Sequence, residues 1–238
     1  MAKALVIIGA GDHAKVLLDI LLEQGAKVLG LADKFVPRGT MIYGVPVLGD
    51  DDEVLKYSPE KIELVNGIGS VKSLTLRSKI FNIYKEKGYT FKTVIHSSAI
   101  VSNRARLTES TQILARAVVN TDAEIGENTI INTGVIVEHG CIIGKNCHIA
   151  PGCVLSGCVT VGERTHIGTG STIIQGITIG SNVLLGAGSV VVKDIEDNSK
   201  AYGVPARMKN TIQITGGGYK LKLFSQKKYN WCAGDLYA

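Results

Sequence analysis

Stepping by six from Ile95 lands on an aliphatic residue seventeen times in succession. The series runs Ile95, Val101, Leu107, Ile113, Val119, Ile125, Ile131, Val137, Ile143, Ile149, Leu155, Val161, Ile167, Ile173, Ile179, Leu185 and Val191. Two places before these residues the side chain is small or modest, as at Ala99, Ala105, Thr111, Ala117, Ala123, Thr129, Cys141, Cys147, Cys153, Thr165, Ser171 and Ser189, with Ile177 the bulky exception. Glycine often follows the aliphatic residue, at Gly126, Gly144, Gly162, Gly168, Gly180 and Gly186, and is expected to allow the turn. An unbroken period of six is the mark of a hexapeptide β-helix. Each hexad supplies one short strand and one corner, three hexads close a triangular coil, and coils stack about 4.8 Å apart.

That register decides how the cysteines and histidines read. Cys141, Cys147 and Cys153 fall on the small inward position of successive hexads, where a thiol behaves as a small apolar group. Their short spacing therefore follows from the repeat, and no metal site is expected. Cys158 is off that register and is expected at the surface. His139 lies two places after an aliphatic position, near a corner. His148 and His166 each precede one, so they should point outward and stack on one face, a full coil apart.

The first ninety-odd residues follow a different pattern, strands alternating with helices, which implies a small parallel sheet. The stretch 4–25 is a buried strand, a glycine turn and an amphipathic helix with Val16, Leu17, Ile20 and Leu21 on one face. Further strands are expected at 27–33, 62–69 and 90–95, a helix from about Val71 to Lys87, and a short acidic helix near Asp50. The chain thus divides into a Rossmann-like α/β region, residues 1–92, a β-helix, 93–209, and an extension, 210–238.

Composition narrows the function classes. Lysine and arginine exceed aspartate and glutamate by 26 − 21 = 5, with no basic run interleaved with aromatics in the main body, which disfavours nucleic acid as a partner. Five cysteines, an odd number, and no apolar leader or bilayer-length stretch point to reduced thiols in the cytoplasm and no integral membrane segment.

Five stretches carry a resemblance: 6–21 (VIIGAGDHAKVLLDIL), 93–102 (TVIHSSAIVS), 135–157 (beginning VIVEHGCIIG), 168–195 (GTGSTIIQG onward) and 201–207 (AYGVPAR). Their order and spacing resemble the sugar O-acyltransferases related to sialic acid O-acetyltransferase, including N-acetyltransferases of UDP-4-amino-sugars of the bacillosamine type. The resemblance implies a homotrimer of left-handed β-helices binding acetyl-CoA between neighbouring prisms, and a nucleotide-sugar on the N-terminal region. By position, His139 would be the general base, while His148, Gly157, Thr169 and Ala187 would line the acetyl-CoA cleft. Gly11, Asp12, His13, Asp33, Gly69 and Ser70 would contact the nucleotide-sugar. The implied reaction is direct acetyl transfer to the amino group of a UDP-4-amino-sugar for surface glycans, without a metal. O-acetylation of a sialic-acid-like sugar is the alternative.

In the N-acetyltransferase branch a carboxylate commonly follows the catalytic histidine, whereas Gly140 stands here. Glu138 precedes the histidine, and Asp122 should lie one coil beneath Gly140, so both are candidate supporting carboxylates. Two rival readings remain: Gly9 to Ala14 also fits the glycine-rich turn of a dinucleotide-binding protein, and a β-helix can serve as a non-enzymatic scaffold.

Overall fold

The computed structural model describes residues 3–70 and 74–209. The C-terminal extension, with Cys232, and Val71, where the third helix was expected to begin, lie outside the described residues.

The N-terminal region contains β1 (Ala4–Ile8), α1 (Asp12–Glu23), β2 (Val28–Ala32), β3 (Met41–Ile42), β4 (Val45–Gly49), α2 (Asp51–Leu55), β5 (Ile62–Asn66) and α3 (Leu74–Glu86). The sheet order is β3-β4-β2-β1-β5, parallel except for the β3–β4 hairpin. That hairpin was not foreseen: Tyr43 and Gly44 both take positive φ, 48° and 81°, and close a two-residue turn. On α1 the buried face is Ala14, Leu17, Leu18, Ile20 and Leu21, whereas Val16 is exposed, contrary to expectation. The strand expected at 90–95 divides instead. Phe91 makes a single bridge to Leu64, and Val94–Ile95 opens the prism.

From Val94 onward two-residue strands repeat every six residues around three parallel sheets. Each aliphatic hexad residue from Ile113 to Val191 is buried, and Ile95, Val101 and Leu107 pack partly buried at the open end. Val135, Val159 and Val183 join Ile177 as bulky residues at the small position, all buried. Thr129, Thr165, Ser171 and the three cysteines at that position share one bonding pattern, whereas Thr111 and Ser189 donate to the carbonyls of Thr108 and Gly186, three residues back. Thr129 Oγ1 donates to the Gly144 carbonyl (2.8 Å), Thr165 Oγ1 to that of Gly180 (2.7 Å) and Ser171 Oγ to that of Gly186 (3.1 Å). The thiols of Cys141, Cys147 and Cys153 donate to the carbonyls of Ser156 (3.2 Å), Gly162 (3.1 Å) and Gly168 (3.1 Å). Each donor serves a corner carbonyl fifteen residues ahead, so Thr, Ser and Cys are interchangeable there because each has one short donor. Burial pushes the Cys147 thiol up to about 12, leaving it inert.

The glycines after the aliphatic residues are required for a reason other than turning. A Cβ on Gly126 would lie 2.5 Å from the Lys145 nitrogen, and one on Gly168 would lie 2.5 Å from that of Ala187. Close approach of successive coils excludes a side chain. The left-handed corner falls two residues later, at Ser110, Arg116, Asp122 and every sixth residue to Gly188. Gly140 occupies such a corner with φ +66°, where glycine adopts the required backbone without strain.

Candidate active site

The N-terminal region sits on the prism face that carries Gln112, Ile130, His148 and His166, one above another at coil spacing. Leu114 and Ile130 of that face join the apolar cluster of α1, β1 and β2. Beside this apolar contact lies a buried polar junction. His13 Nε2 meets Gln112 Oε1 at 2.8 Å, and Gln112 Nε2 donates to the Asn66 carbonyl at 2.8 Å. Asn66 Nδ2 donates to Asn128 Oδ1 at 2.9 Å. Arg77, 1 % exposed, donates to the carbonyls of Asn128, Asn66 and Ile68 at 3.1, 2.9 and 2.8 Å. Its Nη2 is buried with no hydrogen-bond partner among the described residues.

His148 belongs to this junction and is not a solvated surface group. It is 4 % exposed, with Ser70 Oγ against its Nδ1 and Asn132 Nδ2 at 3.0 Å from its Nε2. The His166 ring stands edge-on to it, centroids 4.9 Å apart, as the coil register requires. Burial, then the charges of His166, His13 and Arg77, lower the His148 pKa to about 3. Burial and Arg77 lower that of His13 to about 4 against the opposing Gln112 contact. Both rings are therefore neutral near pH 7 and act as hydrogen-bonding groups.

The remaining N-terminal candidates lie on the segments that follow β1, β2 and β5. Gly11 is the N-cap residue of α1, and exposed Asp12 pairs with Lys15 at 3.1 Å. Gly69 leaves room for His13, whose Cβ would be 3.5 Å from a Cβ there. Asp33 accepts from the backbone nitrogens of Ala10 (2.9 Å) and Phe35 (2.8 Å), which ties the β2 loop to the glycine turn after β1. Between these loops lies a cavity of about 310 Å³ lined by Ile8, Gly9, Ala32, Asp33, Lys34, Phe35, Asp51, Ile68, Leu76 and Ile80.

His139 lies elsewhere. It is exposed at the corner between the strands Ile136–Val137 and Ile142–Ile143, opposite the face that holds the N-terminal region. One coil above it, a Cβ on Gly157 would sit 2.5 Å from His139 Cε1 and 2.7 Å from Nε2, so the imidazole lies directly over that glycine. Asp122 is exposed at the left-handed corner one coil beneath Gly140. No hydrogen bond joins Asp122 to His139 among the described residues. Glu138 Oε2 accepts from Asn120 Nδ2 at 2.9 Å and from the backbone nitrogen of His139 at 3.4 Å, so it contacts the backbone and not the ring. Exposed Thr169 and Ala187 stack at another corner, where Gly188 N donates to the Thr169 carbonyl (2.8 Å). One chain therefore distributes the candidates over two corners and a face.

Gln112, Asn66, Arg77, Asn128 and Asn132 were not singled out from sequence. Gln112 had a usable signal, since it is 2 × 18 residues before His148 and falls on the same outward register. Arg77, in the middle of α3, had none. Among the described residues no group of three or more His, Cys, Asp or Glu could hold a metal ion, and no helix is long and apolar enough to cross a membrane.

Residues 4–84 match the PglD N-terminal domain, and residues 122–157 and 158–193 match the bacterial transferase hexapeptide repeats. A histidine-to-asparagine mutant of perosamine N-acetyltransferase from Caulobacter crescentus, in complex with CoA and GDP-perosamine, is 38% identical. That alignment covers 88% of this chain and 98% of the other, with a TM-score of 0.81. The acetyltransferase domain of PglB from Neisseria gonorrhoeae in complex with acetyl coenzyme A is 32% identical over 87% and 99% of the two chains, TM-score 0.81. WeeI from Acinetobacter baumannii shares the fold at 21% identity over 87% and 100%, TM-score 0.79. A comparison with curated proteins found no match.

Proposed function

The chain belongs to the hexapeptide-repeat sugar acyltransferases with a PglD-type N-terminal domain, and on that premise we propose that it acetylates the amino group of a nucleotide-linked 4-amino-sugar from acetyl-CoA. His139 is the general base in this reading. The amine lone pair attacks the thioester carbonyl while its proton passes to the imidazole. The C–S bond then breaks, and the departing CoA sulfur takes up that proton. An imidazole so placed contributes typically 10²–10⁴-fold.

The observation that carries the proposal is the seating of His139. It is exposed at a corner over a glycine, with its ring free of any side-chain partner among the described residues, where a donor and an acceptor can both reach it. The N-terminal region of the same chain lies across the prism, so the sugar bound there is presented to a neighbour's corner. A homotrimer supplies that arrangement, with the acetyl-CoA cleft between one copy's His139 and Gly157 and a neighbour's exposed Thr169 and Ala187. In this reading Asp122, at the corner one coil beneath Gly140, is the supporting carboxylate for His139. The Caulobacter relative holds both CoA and GDP-perosamine when one histidine is replaced by asparagine or alanine, which supports a histidine in the chemistry and not in ligand binding.

The test is thiol release from acetyl-CoA against a panel of nucleotide-linked amino-sugars and nonulosonic acids. Turnover is expected with a 4-amino-sugar, and His139→Ala should lower kcat about 10²–10⁴-fold with little change in acetyl-CoA binding. Turnover only with nonulosonic acids, or near-normal kcat in His139→Ala, overturns the proposal.

A further inference from the structure

The cavity beside β1 and β2 has a polar edge as well as apolar walls. Asp51, the first residue of α2, reaches its rim, and Tyr84 of α3 donates to Asp51 Oδ1 at 2.8 Å. Tyr84 is 2 % exposed, and burial together with this bond raises its pKa, so its hydroxyl is held as a donor. A buried phenol thus fixes an exposed carboxylate at the mouth of the cavity. Asp51 Oδ2 has no partner among the described residues, and Oδ1 keeps a second lone pair. Lys34, on the same lining, supplies a cation, with its Nζ 4.7 Å from the ring centroid of Phe35. Phe35 is 81 % exposed, an unusual position for a large aromatic side chain and a flat surface on which a base can stack. Asp33, by contrast, has a backbone N–H on each of its oxygens.

A carboxylate reads adjacent donors. Among the common nucleobases, guanine alone presents two neighbouring N–H donors on one edge, N1–H and N2–H₂, with the O6 acceptor beside them. Uracil offers a single N3–H flanked by two carbonyl oxygens, which a carboxylate repels. Adenine and cytosine place a ring-nitrogen acceptor next to their amino group. We propose that Asp51 is a specificity-determining residue that accepts guanine N1–H and N2–H₂, with Lys34 against O6, so that the sugar is carried by guanosine diphosphate. This replaces the uridine expected from sequence and rests on the nucleotide-sugar reading above. Charge-assisted paired hydrogen bonds of this kind supply both affinity and discrimination.

The experiment is calorimetric titration of the full chain and of Asp51→Asn with GDP, UDP and xanthosine diphosphate. Asparagine retains an acceptor oxygen for Tyr84 and replaces the second oxygen with a donor. That edge matches xanthine, which has a carbonyl where guanine has the amino group. The native chain should bind GDP at least about tenfold more tightly than UDP, and Asp51→Asn should prefer xanthosine diphosphate to GDP. Equal or tighter binding of UDP by the native chain overturns the guanine assignment while leaving a nucleotide site intact. An unchanged preference in Asp51→Asn removes Asp51 from recognition. No binding of any of the three by the native chain overturns the nucleotide-sugar reading itself.

Discussion

Gly157→Ala isolates the position of the candidate base from its chemistry. The new methyl group would stand 2.5 Å from His139 Cε1, 2.7 Å from Nε2 and 3.3 Å from Nδ1, and these are its three nearest neighbours. Ordinary contact begins near 3.4 Å, so the ring must move by about 1 Å. The ring is the far end of a side chain at an exposed corner, and Gly157 has no left-handed φ, so the fold tolerates the change at little cost in stability. A 1 Å misplacement of a reacting group costs roughly 10²-fold in rate, about 2.7 kcal/mol of barrier. Steady-state thiol release with saturating donor and acceptor should therefore show kcat reduced about 10²-fold in Gly157→Ala, with an unchanged thermal midpoint. Gly157 is also a candidate contact for acetyl-CoA, so the double variant separates the two effects. In a His139→Ala background those three nearest atoms are gone, and the extra methyl should cause no further loss of kcat. A Gly157→Ala enzyme with normal kcat, or a second full 10²-fold loss on top of His139→Ala, would refute the reasoning.

Two further outcomes follow from the buried groups. His13 and His148 have folded pKa values of about 4 and about 3, below the unfolded value of 6.5, so the unfolded chain binds the extra protons. Their contribution is fully present above pH 6.5 and is lost as the pH falls from 6.5 toward those folded values, about 2 kcal/mol for each histidine at pH 5. Urea titrations at pH 7.5 and pH 5 should show that drop, and His148→Asn should remove about half of it; a pH-independent midpoint contradicts the burial of the rings. Cys147 stands between Thr129 and Thr165 in its corner stack, and its thiol serves the Gly162 carbonyl. Cys147→Thr should leave stability within about 0.5 kcal/mol of the native chain, and Cys147→Ala should lose about 1 kcal/mol by urea denaturation.

How much of this was legible in the sequence depends on whether a residue's neighbours are set by the repeat. Along the prism they are, because each residue rests on the one eighteen places away. Ile113 to Val191, the inward thiols and the His148–His166 stack all follow from counting. Counting also misled where position and cause differ. The glycines at 126 and 168 fit the repeat, yet their role is close approach between coils, and the left-handed corner is two residues later. In the N-terminal region no repeat supplies the neighbours, so Val16 was placed on the wrong face and the hairpin at Tyr43–Gly44 was missed.

The site itself lies at the boundary between these two regimes. His139 could be located because its corner is part of the repeat, and its seat on Gly157 is the same coil spacing. His148 could be placed on a face, but the register says only that it points away from the prism axis. What it meets there is set by Ser70, on the loop that follows β5, and by the charge of Arg77, both brought in from the other region. That contact turns an apparently solvated imidazole into a neutral, hydrogen-bonded one. The same crossing leaves His139 alone on the opposite corner, so the fold of one chain separates the candidate base from the surface that would present its substrate. The separation is imposed by the threefold order of the strands, and no side-chain rearrangement within a single copy removes it. A second copy is thus required by the geometry of the proposed reaction, before any account of which faces are apolar.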